Sequence, residues 1–281
     1  MKKIEAIVFL YNGNSYIESC IKEFNSQKTP NYEKSLRFIL TDTNDGSKEK
    51  LEEKKACFEV ISPKEFNHAL TREKAIYSSN ADIVVLLTQD ARMVNDDCLE
   101  KLANCIDDDI KYAYLRQVNN NWSIERYTRK FNYPKKSLVK DKSMIDKLGI
   151  NTFFASDTCA AVDKNYFVSV GGYDSKPQKT NEDMYYAHKV ILGGKKVKYC
   201  ADSYVEHTHK FKLKELEKRY ELFGTFFKEN PEIGSYASNG SGMKLALKIF
   251  GNILINFNIP ALVMFVPNML TRYIGKKKGS K

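Results

Sequence analysis

The chain begins with short apolar runs separated by segments of helical period. Residues 4–10 (IEAIVFL), 37–40 (RFIL), 57–61 (CFEVI) and 82–87 (DIVVLL) are the runs. Runs with few polar positions mark strands covered on both faces. Between them, Tyr16, Ile17, Cys20, Ile21 and Phe24 fall on one side of a helix over 14–26. Residues 66–79 and about 95–105 read as helices too. Strands alternating with helices predict a parallel, doubly wound sheet in this half.

The second half is more mixed. Residues 112–117 (YAYLRQ) predict a strand, and 119–136 a long loop with a helical piece. Residues 153–162 are apolar enough to be buried, and 171–174 (GGYD) form a turn. Residues 181–192 predict a helix closed by Gly193 and Gly194, the usual glycine position after a helix end. A short strand follows at 195–200, then an amphipathic helix over 213–230 that Pro231 stops. The Ser/Gly-rich stretch SYASNGSGM is the one clear boundary. This divides the chain into a catalytic unit at 1–232, a linker at 233–243 and a tail at 244–281.

In the tail, Lys244, Lys248, Asn252 and Asn256 recur every four residues as a polar stripe. Leu245, Ile249, Ile253, Leu254 and Phe257 lie away from it. Residues 249–270 carry no charge, but four Asn and two Pro interrupt them, so an interfacial helix is expected rather than a span. A helix packed on the domain, or a dimer contact, is the competing reading. Seven of the ten net positive charges lie beyond residue 232, where there is no acid, which leaves +3 for the rest. A nucleic-acid binder would carry its basic stripe on the folded domain. Here the basicity borders apolar sequence, as attraction to an anionic membrane requires. The six cysteines are scattered without a CxxC pair, which argues for a reducing compartment and against structural zinc. The N-terminal run reads as a first strand, not a signal peptide.

Candidate chemistry sits where strands end. The run VVLLTQDARM takes a buried strand straight into Thr88, Gln89 and Asp90. Loops at the carboxyl ends of parallel strands are where open α/β sheets bind ligands. A lone carboxylate with oxygen-bearing neighbours suits Mg²⁺ or Mn²⁺. Capping the next helix is the bland alternative, yet Asn95, Asp96 and Asp97 already offer caps. Asp42 and Asp45 lie in TDTNDGS, either a nucleotide contact or a plain turn. Glu182 and Asp183 open a helix, where acids also serve the dipole; a general base there is expected to stay ionised. His207 and His209, two apart, share a face if extended. Arg72, and Arg116 with Gln117, are candidate phosphate and hydroxyl contacts. Trp122 could stack on a sugar or sit in the core.

Eight segments, in order, resemble the family 2 glycosyltransferases, and within them the bacterial rhamnosyltransferases. They are AIVFLYNGNSYIESCI, TDTNDGS, FNHALTREKA, LLTQDA, RQVNNNWSIERYTRKFNYP, KLGINTFFASDTCAAV, VGGYD and NEDMYYAHKVILGGKKVKYCADSYVEHTHKFKLKELEKRY. The resemblance covers about residues 4–230. It implies a GT-A fold: an α/β, doubly wound mixed sheet with a nucleotide-binding half and an acceptor half. It also implies inverting transfer of a sugar, L-rhamnose from dTDP-rhamnose in the first instance, to a lipid-linked surface glycan at the cytoplasmic face of the membrane. A UDP-hexose donor is the alternative, and a non-catalytic glycan-binding scaffold a further one; oligomers are possible.

Carried over residue by residue, Asp183 is the base, and Asp90 holds Mg²⁺ or Mn²⁺ with His207 or His209. Arg72 meets the diphosphate. Asp42 or Asp45 meets the base or ribose. Gln89, Arg116, Gln117, Asp157 and Glu182 are further candidate substrate contacts beside these. Two departures stand out. TDTNDGS is not the usual Asp-Asp-Gly-Ser, and Thr88 replaces the first Asp of the metal motif.

Overall fold

A computed structural model describes residues 1–237 and 240–281. Its strands are β1 (Lys2–Tyr11), β2 (Tyr32–Thr41), β3 (Cys57–Ile61), β4 (Ile83–Thr88), β5 (Ala91–Met93), β6 (Ile110–Val118), β7 (Leu138–Lys140), β8 (Cys159–Asp163) and β9 (Lys196–His207). Its helices are α1 (Ile17–Ser26), α2 (Ser47–Glu53), α3 (His68–Tyr77), α4 (Cys98–Ala103), α5 (Ile124–Asn132), α6 (Ile145–Leu148), α7 (Lys164–Ser169), α8 (Glu182–Leu192), α9 (Leu213–Glu229), α10 (Pro231–Gly234), α11 (Ser241–Ile255) and α12 (Ile259–Gly279).

The sheet runs β3-β2-β1-β4-β8-β6-β9-β5, with β7 added on β9. β3, β2, β1 and β4 are parallel, as predicted, whereas β8 is antiparallel to both β4 and β6. Each central strand divides its side chains between two cores. Ala6, Val8 and Leu10 of β1 join Ile17, Phe24 and Leu51 on one face. Ile7 and Phe9 join Ile76, Phe167 and Tyr186 on the other. Two covered faces explain why these strands read as unbroken apolar runs.

Four local expectations change. β9 is twice the length expected: it runs to His207 because its far half pairs with β6 and β5, across a register shift at Leu115/Arg116. Residues 124–132 form a regular helix, α5, which buries Ile124 and Tyr127. The short elements α2, β5 and β7 carried no period long enough to detect. Asp97 occupies the α4 cap position, yet its side chain makes no cap bond; Asp90 does not cap that helix either.

The linker expected over 233–243 includes Ser238 and Asn239, which lie outside the described residues. The tail packs on the domain. Ile249, Ile253 and Ala261 form a core with Ile124 and Tyr127 of α5. α12 lies along α9 at backbone contact, because a Cβ on Gly275 or Gly279 would overlap the carbonyl of Glu217 or Glu221. Arg272 pins α12 through Asn268, Tyr220 and Glu125. The amphipathic reading holds for the Ile249 and Ile253 side, but Leu254 and Phe257 face solvent. Among the described residues no helix is long and apolar enough to cross a membrane.

Candidate active site

β4 ends at Thr88, and the chain turns at Asp90 into β5. β5 is hydrogen-bonded antiparallel to the end of β9, with Ala91 opposite His207. This pairing brings Asp90 to both histidines: its Oδ2 lies 3.4 Å from His207 Nε2 and 3.3 Å from His209 Nε2. The three ligand atoms fall within 4.8 Å of one another. Burial raises the Asp90 carboxyl, but the His207 hydrogen bond and the two imidazoles outweigh it and hold it at about 2. Burial lowers both histidines, His209 to about 4 with help from His207. At neutral pH the cluster is therefore one carboxylate and two neutral imidazoles, the states that bind a cation.

The surroundings aim these ligands. Gln117 Nε2 donates to Tyr133 Oη (2.8 Å) and Ser156 Oγ (2.7 Å). Its Oε1 is thereby turned to His207 Nδ1 at 2.9 Å. Gln117 thereby fixes the orientation of the His207 ring, as the outer partner of a metal-binding imidazole does. Gln89, by contrast, donates from its amide to Tyr11 O (3.0 Å) and accepts from Tyr11 N (2.9 Å). It locks the end of β4 to β1. Thr88 Oγ1, where the usual motif has an acid, is buried without a hydrogen-bond partner.

A second charged cluster lies across the sheet end. Ser156, held by Gln117, precedes Asp157, which accepts from Tyr112 Oη (2.5 Å) and Tyr173 Oη (2.9 Å). Arg72 sits between Asp157 (3.8 Å) and Glu182 (3.3 Å), stacked over Phe9 at 4.8 Å. Arg72, Asp157 and Glu182 are all buried. This is an internal ion network, so Arg72 braces the carboxylates and does not reach out for a diphosphate. Beside it, Asp183 is half-buried and follows Asn181, a non-glycine residue at φ 61°. Asp183 Oδ1 accepts from Met184 N at 2.7 Å. Burial, then Glu182 and Asp157, push its carboxyl well above the usual range. Two neighbouring acids oppose the Asp183 charge, so its ionisation depends on these surroundings as well as on the helix start. Burial and Glu182 likewise raise Asp157 to about 6 against the pull of Arg72.

Asp42 and Asp45 separate by their bonds. Asp45 accepts from Asn14 N and Ser47 N with its two oxygens, both at 3.1 Å, which locks the turn. Among the described residues Asp42 accepts only from Asn44 N, through Oδ1, and its other oxygen has no partner. Trp122 is 63% exposed, which removes it from the core. One buried cation gave no sequence signal: Lys140 lies against the Tyr114 and Phe154 rings. Burial lowers it to about 7, and its charge reaches Asp183.

The Glycosyl transferase family 2 model matches residues 5–171. The chain belongs to that family. It is 34% identical over 230 residues to the O-antigen chain rhamnosyltransferase WbaN of Salmonella anatum, covering 78% of this chain and 71% of that protein. It is 33% identical over 229 residues to RfbN of Salmonella typhimurium, an enzyme described in the same words, with the same coverage. Among solved structures, mannosyltransferase PcManGT from Pyrobaculum calidifontis, in complex with GDP-Man and Mn²⁺, superposes with a TM-score of 0.63 at 13% identity. That match covers 98% of this chain and 84% of the other. S. aureus TarS 1–349 in complex with UDP-GlcNAc gives 0.57 at 13% identity, over 98% and 90%. The fold is GT-A, and the protein is a glycosyltransferase.

Proposed function

We propose that this glycosyltransferase moves L-rhamnose from dTDP-rhamnose to a sugar hydroxyl of a lipid-linked glycan, with inversion. The kinship to two proteins described as O-antigen rhamnosyltransferases supports the donor. The convergence of Asp90, His207 and His209 beyond the carboxyl end of β4 carries the chemistry. Two imidazoles with one carboxylate suit Mn²⁺ better than the harder Mg²⁺. A divalent ion held there would neutralise charge on the leaving diphosphate.

Asp42, with its open oxygen, binds the nucleoside. Asp183 takes the proton of the acceptor hydroxyl while that oxygen bonds to the anomeric carbon. The bond from that carbon to the diphosphate breaks on the opposite face, and the nucleoside diphosphate leaves with the electron pair. A carboxylate held above its usual range is a stronger base than a free one, and such help is worth about 10² to 10⁴ in rate. Glu182, Arg72 and Asp157 set that environment.

The tail holds the enzyme on an anionic bilayer. Val263, Val266 and Leu270 on α12 face solvent, and Lys276, Lys277 and Lys278 follow them. The place of action is therefore the cytoplasmic membrane face, where a lipid-linked acceptor is confined. Turnover of dTDP-rhamnose, UDP-hexoses and GDP-hexoses, each with and without Mn²⁺, tests the reading. Metal-stimulated turnover of dTDP-rhamnose alone is the expected result. Turnover of a UDP-hexose instead would replace the donor, and turnover of none would overturn the enzymatic assignment.

A further inference from the structure

A cavity of about 230 Å³ opens beside the end of β6, against α5 and the end of α11, and no step above uses it. Arg116, Arg126, Arg129, Lys130 and Lys135 line it without a single carboxylate, and Asn256 of the tail borders it. Among the described residues none of these five cations forms an ion pair. The guanidiniums rest on aromatic faces instead: Arg116 on Tyr204, Arg126 on Trp122 and Arg129 on Tyr133, at 5.4–5.8 Å. Arg116 Nε is buried with no hydrogen-bond partner. Five like charges around one cavity repel one another, and an anion with several oxygens would relieve them.

This anion is not the one at Asp90. Arg129 Nη2 stands 3.2 Å from His207 Nδ1, whereas Asp90 stands at Nε2, the other ring nitrogen. Arg129, on the cavity's lining, and Asp90 thus meet different ring nitrogens of His207. The cavity is also smaller than the roughly 300–1,000 Å³ that drug-sized ligands occupy, so it suits a headgroup and not a whole nucleotide. At its edge, Ile255, Phe257 and Ile259 flank Asn256 and are 75%, 85% and 60% exposed. An anion seated among the cations would have an apolar substituent placed against these side chains.

We infer that the cavity binds the diphosphate of a prenyl diphosphate ester, the anchor of the acceptor, with the hydrocarbon running over Ile255, Phe257 and Ile259. The inference rests on the lipid-linked acceptor proposed above and gives that acceptor a seat. With the diphosphate beside Arg129, the sugar it carries extends past His207 toward the donor.

Calorimetry on the full chain in EDTA, with geranyl diphosphate and inorganic pyrophosphate as titrants, tests the site without donor or metal. Geranyl diphosphate should bind wild type and Asp90→Ala alike, and bind Arg126→Gln/Lys135→Gln at least about tenfold more weakly, since charge-assisted bonds are lost. Both residues are exposed, so the variant should melt as wild type does; if it does not, Lys130→Gln replaces it. Phe257→Ser should weaken geranyl diphosphate and leave pyrophosphate unchanged. Equal affinity in the Arg126/Lys135 variant, or loss in Asp90→Ala, would overturn the site. Pyrophosphate binding as tightly as the ester, still sensitive to Arg126 and Lys135, would overturn the lipid anchor while the cavity stands as an anion site.

Discussion

His207 meets Asp90 only because β5 and β9 pair. Its Nε2 lies 3.4 Å from Asp90 Oδ2, and its Nδ1 is turned to Gln117. The metal reading follows from this contact. Asp90→Ala should abolish Mn²⁺ binding measured by calorimetry or by Mn²⁺ electron resonance. His207→Ala and His209→Ala should each weaken it, and Mn²⁺ should bind the wild type more tightly than Mg²⁺. Unchanged Mn²⁺ affinity in Asp90→Ala would remove the metal from this cluster.

Gln117 acts through His207. Gln117→Leu keeps the bulk and removes the acceptor at Nδ1. Groups that orient a metal-binding imidazole typically contribute about 10- to 100-fold in metal affinity, so a loss of that size is expected. A metal affinity equal to wild type would reduce Gln117 to a packing residue.

Asp183→Asn should leave donor affinity nearly intact and lower kcat at least about a hundredfold. The same variant has a stability signature. The folded-state carboxyl is raised above its unfolded value, so its contribution is present below about pH 4 and is lost as pH rises through the folded pKa. Asp183→Asn should therefore melt higher than wild type at pH 8, by a few degrees, with the gap closing toward pH 4. Wild-type turnover should fall as acid protonates the base. A lower melting point at pH 8 would show that the acid cluster does not oppose the Asp183 charge.

The α9–α12 contact depends on glycine. Gly279→Leu would force a side chain into the Glu221 carbonyl, so the helices must separate. Overpacking of this kind typically costs about 1–3 kcal/mol. Thermal melts should show a clear drop, larger than for Gly251→Leu, where a side chain meets open space. Equal melts would mean that α12 is not held against α9 in solution.

Membrane attachment is better tested on the exposed side of α12 than by cutting the tail off, because α11 and α12 cover Ile124 and Tyr127. Val263→Ser/Val266→Ser with Lys276→Gln/Lys277→Gln should release the protein from anionic liposomes in sedimentation, while the wild type pellets. Basic residues near such a surface are worth about 1 kcal/mol each. High salt should weaken wild-type binding in part. Identical pelleting of both proteins would leave the tail as a packing element.

The amino-acid sequence alone determined the strands that face two cores and the helices between them, since both patterns are local repeats of hydrophobicity. β3 appears in the structure within the bounds its apolar run predicted, and the helix over 181–192 ends at Gly193 as expected. It also marked Asp90 as a candidate ligand, whereas His207 and His209 were joined to it only through the resemblance to family 2 glycosyltransferases. Tertiary structure decided which other candidates are open to substrate. Gln89 and Asp45 are held by backbone groups, and Arg72 and Asp157 are closed inside an ion network. Nothing local in LLTQDA, TDTNDGS or ASDTC encodes those partners. The same holds for the cationic cavity: Arg116 and Arg126 look like solvated charges until β6, α5 and α11 are brought together. A side chain's chemistry is written in its residue type, but its availability depends on neighbours far along the chain, and only packing supplies those.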